Sequence, residues 1–340
     1  MIFKQYENLD DLRKVQQLSV LLVKELNRVS EILGTPYYAY GGTAIGAVRH
    51  HGFVPWDDDV DVALLRDDYE RFVAEAPALL GPQFALVNNR TDPDYPANIT
   101  NLVLKDTYCV PEEFAACAFQ FPIRVDLFAV DHLTDDPAKR KRQARRTWWW
   151  GRLTYLRATA RPYIPFNGPK EKLVLAACAV GNGMLRLLHV SQRRICRNWE
   201  RAATLYNDEP STRLTDFTDR FPEKWACTPE ELFPLRKMPF EDTYIWVPND
   251  YDAILTRGYG AYMELPPVEQ RKNHYPSRLD FGPYATWEPE ASGASGAEGA
   301  GDASGASGDA ASGTDAPASA ASAEAALGTE ALPSTPSANA

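Results

Sequence analysis

The chain has 340 residues, with 36 Lys and Arg against 46 Asp and Glu, for a formal charge of −10. That length supplies ample core for one large domain or two small ones. Eight acids and no cations lie from Glu288 onward, so the body is nearly neutral and lacks the basic balance of a general nucleic-acid binder. The cysteines, Cys109, Cys117, Cys178, Cys196 and Cys227, are odd in number and none are spaced as CxxC, which argues against a disulfide framework or a structural zinc. The first residues turn polar at once. The most apolar stretch, Leu173 to Val190, is interrupted by Gly181-Asn182-Gly183 and Arg186, and reads as too short to span a bilayer. The expected placement is cytoplasmic.

In chain order, Asp10 to Leu33 carries apolar residues at helical spacing behind an acidic start. Pro36 ends it, Tyr37 to Tyr40 reads as a short strand, Gly41-Gly42-Thr43 as a tight turn, and Ala44 to His50 as a helix. Asp59 to Leu64 alternates with period two and predicts a strand. Arg66 to Leu80 predicts a helix, Leu102 to Leu104 a strand, and Phe121 to Phe128 a second alternating strand. Lys139 to about Asn207 is mostly helical in pattern, Glu241 to Val247 a strand, and Tyr251 to Arg257 a short helix. The mixture predicts an α/β or α+β fold over residues 1–287. Residues 288–340 are Ala, Gly, Ser and acids, a composition that cannot offset the entropy of ordering, and read as a disordered tail without chemistry.

The densest chemical signal is Trp56-Asp57-Asp58-Asp59-Val60-Asp61-Val62. Asp59 and Asp61, two apart on a strand, present both carboxylates to one face while Val60 and Val62 enter a core. Like charges that close repel unless a cation lies between them, and oxygen ligands on a rigid strand suit a hard cation. Asp57 and Asp58 alone read equally well as a solvated acidic turn. Gly41-Gly42-Thr43, between strand and helix, would let backbone N–H groups approach a phosphate, or is an ordinary glycine turn. Asp126, in an apolar strand, needs a partner: a shared metal or a salt bridge to Arg124 on the same face.

The run Tyr40 to Val62, YGGTAIGAVRHHGFVPWDDDVDV, closely resembles the signature of the LicD family, whose hallmark is a GGTLLGAVRHxGFIPWDDDID-like stretch. Val125-Asp126-Leu127-Phe128-Ala129-Val130-Asp131 is similar to the family's FIDIFPLD strand. Val247-Pro248, Tyr259 to Pro267, Arg271 and His274 are similar to its YGDYMxLPPxxxRxxH ending. The resemblance covers roughly residues 10–280, with departures at Ala44-Ile45 and Ala261. It implies a nucleotidyltransferase-like mixed sheet flanked by helices, with a helical insertion. It also implies a transferase related to phosphocholine transferases of bacterial surface glycans and to fukutin-related phosphoribitol transferases. By the same resemblance Asp59, Asp61 and Asp126 are the metal-binding and catalytic carboxylates, and Gly41, Gly42 and Thr43 the donor-phosphate turn.

The expected cofactor is a divalent metal, Mg²⁺ with Mn²⁺ as the alternative. The expected partners are CDP-choline or a related CDP-alcohol and a glycan acceptor, with no nucleic acid. Phosphoribitol or phosphoglycerol transfer is a competing reading, as is a glycosyltransferase using a DxD motif. Asp126 is the expected general base. Arg49 and His50 would contact donor phosphate or pack the short helix, and Arg271 and His274 would reach the same site or clasp the C-terminal end. Lys139 to Arg161 holds nine cations and Trp148-Trp149-Trp150. It fits peripheral contact with a membrane face, a solvated amphipathic helix with aromatics inward, or an oligomer contact.

Overall fold

The computed structural model describes residues 5–164, 168–219, 221–271, 273 and 275–289. His274 and residues 290–340 of the expected tail lie outside them. The first helix, α1 (Leu9–Leu33), starts at Asn8, whose side chain accepts the Asp10 N–H, and stops at Gly34, where φ is +63°. Its apolar stripe, Leu18, Leu22, Leu26, Val29 and Leu33, is buried. β1 (Tyr38–Ala39), α2 (Gly41–His50), β2 (Asp61–Leu65) and α3 (Arg66–Glu75) follow, then β3 (Phe84–Val87), β4 (Thr100–Leu104), β5 (Tyr108–Val110) and β6 (Arg124–Leu133). Three helices come next: α4 (Pro137–Ala158), α5 (Pro169–Leu187) and α6 (Gln192–Ala203). The chain continues through β7 (Arg213–Thr215), α7 (Pro229–Leu232), the hairpin β8 (Arg236–Phe240) and β9 (Thr243–Val247), α8 (Tyr251–Tyr259) and β10 (Arg278–Asp280).

The central sheet runs β1-β2-β6-β4-β3, with β7 paired to the far end of β6. Only β2 and β6 are parallel; the other pairs are antiparallel. This is a mixed α/β sheet flanked by helices, with α4–α6 as a helical insertion, consistent with the expected nucleotidyltransferase-like fold. The two faces bury different residues. Val62, Leu64, Leu102, Leu104, Val125 and Leu127 pack with the α1 stripe. Ala63, Phe128 and Val130 face Tyr38, Tyr40, Tyr155 and Trp225 in a second, aromatic-rich core. Asp61 and Asp126 stand two residues before Ala63 and Phe128, so their carboxylates belong to this second face.

Several expected boundaries shift. The Gly41–Thr43 turn is the first turn of α2 itself: Gly41 has φ +54°, a conformation that only glycine adopts cheaply, and it swings the chain straight from β1 into the helix. β2 begins at Asp61, so Asp59 precedes the strand, although the ladder reaches Val60, whose carbonyl accepts the Asp126 N–H at 2.8 Å. Gly181 and Gly183 do not break α5. The Gly181 position lies against Leu156 of α4, and a neighbouring Asn182 amide bonds the α4 carbonyls of Leu156 and Arg157. The tryptophan triplet divides: Trp150 packs on the small core of Leu133, Trp199 and Phe217, while Trp148 and Trp149 are exposed.

α2 is seated by a close approach at Gly46, where an added Cβ would lie 2.5 Å from the Gly52 carbonyl oxygen and 3.1 Å from the Val54 nitrogen. Both neighbours are backbone and cannot swing away. Gly46→Ala should therefore lower unfolding stability by about 1–3 kcal/mol in urea titration, despite the higher helix propensity of alanine. An unchanged or raised midpoint would show that the loop yields.

Candidate active site

β2 and β6 place Asp61 directly beside Asp126 in parallel register, and β4 places Asn101 opposite Asp126 on the other side. All three side chains are buried. Asp126 is well supported: its Oδ1 accepts from Arg124 Nε at 2.9 Å and from Asn101 Nδ2 at 2.6 Å. Tyr95 donates to Asn101 Oδ1 at 2.8 Å, which turns the amide NH₂ toward the carboxylate. The salt-bridge reading of Asp126 holds, since the Arg124 ion pair forms, and a second carboxylate lies alongside it in register. Asp61 is treated differently. Its backbone N–H donates to Thr43 Oγ1 at 2.8 Å, tying β2 to the first turn of α2, but its Oδ1 is buried with no hydrogen-bond partner among the described residues.

Electrostatics follow from this arrangement. Burial pushes the Asp61 carboxyl well above its ordinary range, and the neighbouring charges of Asp59, Asp126 and Asp57 push the same way. Burial also raises Asp126, to about 6, with Arg124 opposing and Asp59 adding to the rise. Tyr259, half-buried at the end of α8, feels Asp61, Asp57 and Asp59, so α8 borders the acidic group. Asp58 accepts from Tyr6 at 3.4 Å on the other side.

Among the described residues, no three His, Cys, Asp or Glu side chains are grouped so as to hold a metal by themselves. The pair Asp61–Asp126 nevertheless fits a divalent cation. Hard cations such as Mg²⁺ use one or two carboxylates and take their remaining ligands from water and substrate phosphate. An orphaned, buried carboxylate oxygen beside a second carboxylate is a donor set of that kind. Asp59, on the segment leading into β2, is the third carboxylate of the expected set. α2 presents its N-terminus at the same corner, with no side chain capping it and no acid in its first turn. The N–H groups of such a turn lack intrahelical acceptors and favour anions.

Arg49 and His50 sit at the opposite end of α2. Arg49 Nη1 donates to the Tyr262 and Glu264 carbonyls, the second at 3.1 Å, and its Nε lies 2.9 Å from His50 Nε2. Arg271 stacks over Trp56 at 5.2 Å, and the His50 ring lies 6.5 Å from the same indole. Burial and Arg271 lower the Arg49 pKa; burial and Arg49 lower that of His50. A clasp holding the 262–264 segment is therefore present, and it also gathers two guanidinium groups beside the residue before Asp57. Asp131, the last residue of the FIDIFPLD-like block, is not at the site. It is buried in a bidentate pair with Arg66 and accepts from Asn207 at 2.7 Å.

Sequence reasoning passed over Asn101 and Tyr95, and also a cleft on the acidic face. That cleft runs between Phe128 and α4 and is lined by Trp148, Arg152, Tyr155, Trp199 and Asp219. Phe128 lies two residues along β6 from Asp126, so the cleft shares the sheet face of the carboxylates, which do not themselves line it.

A family model described as the LicD/FKTN/FKRP nucleotidyltransferase domain matches residues 34–91, which contain β1, α2, the acidic run and β2. The chain is also 28% identical over 277 residues to the lipopolysaccharide cholinephosphotransferase LicD of Haemophilus influenzae, covering 78% of this chain and 96% of the relative. Both comparisons support assignment of the chain to the LicD family. Two uncharacterized Rickettsia proteins match shorter stretches: one from R. typhi at 29% identity over 69 residues, one from R. prowazekii at 36% over 47. These cover 20% and 14% of this chain and 22% and 18% of the relatives. This similarity supports a phosphotransfer-type transferase activity and general dependence on a divalent metal.

The raised Asp61 pKa has a definite sign. An acid whose folded pKa lies above its unfolded value adds stability below the unfolded value, near 3.8, and loses it as pH rises through the folded one. Asp61→Asn removes that titration. In the presence of EDTA the variant should melt above wild type at pH 8, and the gap should narrow toward pH 5. A variant less stable than wild type across the whole range would show that ionised Asp61 carries no net cost.

Proposed function

We propose that this LicD-family protein moves phosphocholine from CDP-choline to a hydroxyl of a cell-surface glycan or its lipid-linked precursor, working at the cytoplasmic face of the membrane. The observation that carries the reading is the buried, unpartnered Asp61 oxygen held in register beside Asp126 at the foot of α2. The near-full-length similarity to a cholinephosphotransferase supports the choice of donor.

Each residue then has a task. The Gly41-Gly42-Thr43 turn offers backbone N–H groups to the donor diphosphate, and glycine there leaves room for the phosphate to approach. The guanidinium groups of Arg49 and Arg271 add positive charge on the far side of Trp56. Asp61 and Asp126, with Asp59, would hold a divalent cation. When bound, that cation supplies charge neutralisation for the diphosphate and for departing CMP. Arg124 and Asn101 fix the Asp126 carboxylate through its Oδ1. Asp126, with its pKa near 6, is suited to accept the proton of the acceptor hydroxyl. The acceptor oxygen bonds to the phosphorus of phosphocholine, the bond to the CMP oxygen breaks, and the proton passes to Asp126. The cleft under α4, on the same sheet face as Asp126, offers space for the acceptor.

Release of CMP from CDP-choline, CDP-ribitol and CDP-glycerol, and of UDP from UDP-sugars, tests the donor with Mg²⁺ and a glycan acceptor present. CDP-choline should be turned over preferentially. Asp126→Asn should still bind CDP-choline in calorimetry but lose about 10²–10⁴-fold in turnover, whereas Asp59→Asn should lose donor binding as well. Preferential use of another donor would replace the phosphocholine assignment. Equal loss of donor binding in both variants would make Asp126 primarily a ligand and move the base elsewhere.

A further inference from the structure

The α5 helix is built the wrong way round for a protein in water. Its one strongly polar mid-helix residue, Asn182, is turned inward and donates to the Leu156 and Arg157 carbonyls at 2.8 and 3.1 Å. Leu175, Cys178 and Leu185 complete the side that rests on α4. Large apolar side chains point outward instead: Leu173 is 72% exposed, Val180 64%, Met184 56% and Leu187 76%, followed by Leu188 at 65%. Ala176, Ala177 and Ala179 fill the space between them, also exposed. On α4, Trp149 and Leu153 share a face with Leu156, against which α5 packs, so the exposed Trp149 ring prolongs the apolar surface by one turn.

Charge identifies the occupant. Residues 137–203 contain sixteen Lys and Arg against two acids, Glu171 and Glu200, in a chain whose overall charge is negative. Lys170 and Lys172 flank the apolar face in the first turn of α5 and Arg186 in its last, all exposed. Arg145 and Arg146 on α4, and Arg193 and Arg194 on α6, are exposed on the neighbouring helices. A second copy would bring two such cationic surfaces together. A nucleic acid would satisfy the cations but leave the leucines in water. An anionic lipid surface satisfies both, taking the apolar side chains among its acyl chains and the cations among its headgroups.

We infer that α5 is a monotopic docking helix that lies in the plane of an anionic membrane, its Leu173–Leu188 face inserted and the basic residues of α4–α6 at the headgroups. It lies in the surface and does not cross it. Among the described residues no single helix is long and apolar enough to span, α6 leaves α5 at 101°, and Asn182 ties α5 to the Leu156 and Arg157 carbonyls of α4. The membrane element is thus α5 and one tryptophan of α4, with Trp148 facing the cleft and Trp150 the interior. The inference is independent of the donor and of the metal.

Flotation of the full-length protein with vesicles tests it. Wild type should float with phosphatidylcholine vesicles containing about one-third phosphatidylglycerol, and much less with phosphatidylcholine alone. The triple variant Leu173→Glu, Val180→Glu, Met184→Glu alters only exposed positions, and circular dichroism should give it the wild-type melting curve. Its partitioning onto the anionic vesicles should fall at least tenfold. The milder pair Leu173→Ser, Leu187→Ser should fall several-fold. Failure of wild type to float, or equal flotation of the folded variants, would overturn the assignment. So would a concentration-dependent dimer that the triple substitution abolishes while vesicles bind neither protein, or RNA binding that displaces the vesicles and survives the substitutions.

Discussion

The structure turns on the parallel pairing of β2 with β6, which sets two carboxylates side by side in a buried sheet. Adjacent strands are about 4.8 Å apart, and two ionised groups about 5 Å apart at an effective dielectric near 20 repel by roughly 3 kcal/mol. Asp126 is compensated by Arg124 and by an Asn101 amide that Tyr95 holds in place. Asp61 has the charge of Arg124 opposing the other acids, but its buried Oδ1 has no hydrogen-bond partner among the described residues. The apolar packing of Val60, Val62, Val125 and Leu127 on α1 holds these strands in register against that repulsion. Such an arrangement is costly for the protein alone and becomes favourable when positive charge enters. This is the common pattern of a functional site that the rest of a fold supports.

The sequence pattern pairs Asp59 with Asp61 on one strand, but β2 begins at Asp61, and the partner beside it is Asp126 across the β2–β6 pairing. Alternation around Asp61 and Asp126 states which face each carboxylate takes, and the pairing of two such strands needs only the sheet. Asn101 was not legible, since its role depends on antiparallel β4 lying against β6, a register decided by contacts distant in sequence. β3 is four residues of FALV, too short to show a period, and β5 pairs with β10 across a gap of some 170 residues. The start of α2 was misplaced for a different reason. Two consecutive glycines ordinarily signal a turn, but here one supplies a positive φ and the other is absorbed into the helix, where β1 and the Asp61–Thr43 bond hold it. Similarly, Gly181 and Gly183 looked like a break in an apolar run, and tertiary packing of Asn182 on α4 overrides their weak propensity.

The helical layer α4–α6 gives the molecule two chemically distinct sides. Its inner side closes a cleft of Trp148, Arg152 and Trp199 over the face that carries Asp126, and its outer side is apolar and cationic. One helix, α4, takes part in both, since residues on its different faces line the cleft and border α5. An acceptor anchored in a bilayer would therefore meet the site along the same element that meets the bilayer. The aromatic floor of the cleft, Phe128, Tyr155 and Trp199, suits the ring face of a sugar, while Arg152 and Asp219 suit its hydroxyls.

The most direct test of the central claim, that Asp61 and Asp126 together receive a cation at the phosphate-binding end of α2, is anomalous diffraction from crystals grown with Mn²⁺ and CDP-choline. The account predicts one strong manganese peak in contact with the carboxylates of both residues, with the donor diphosphate directed at the first turn of α2. A peak away from this pair, or an ordered donor with no manganese beside Asp61, would contradict it.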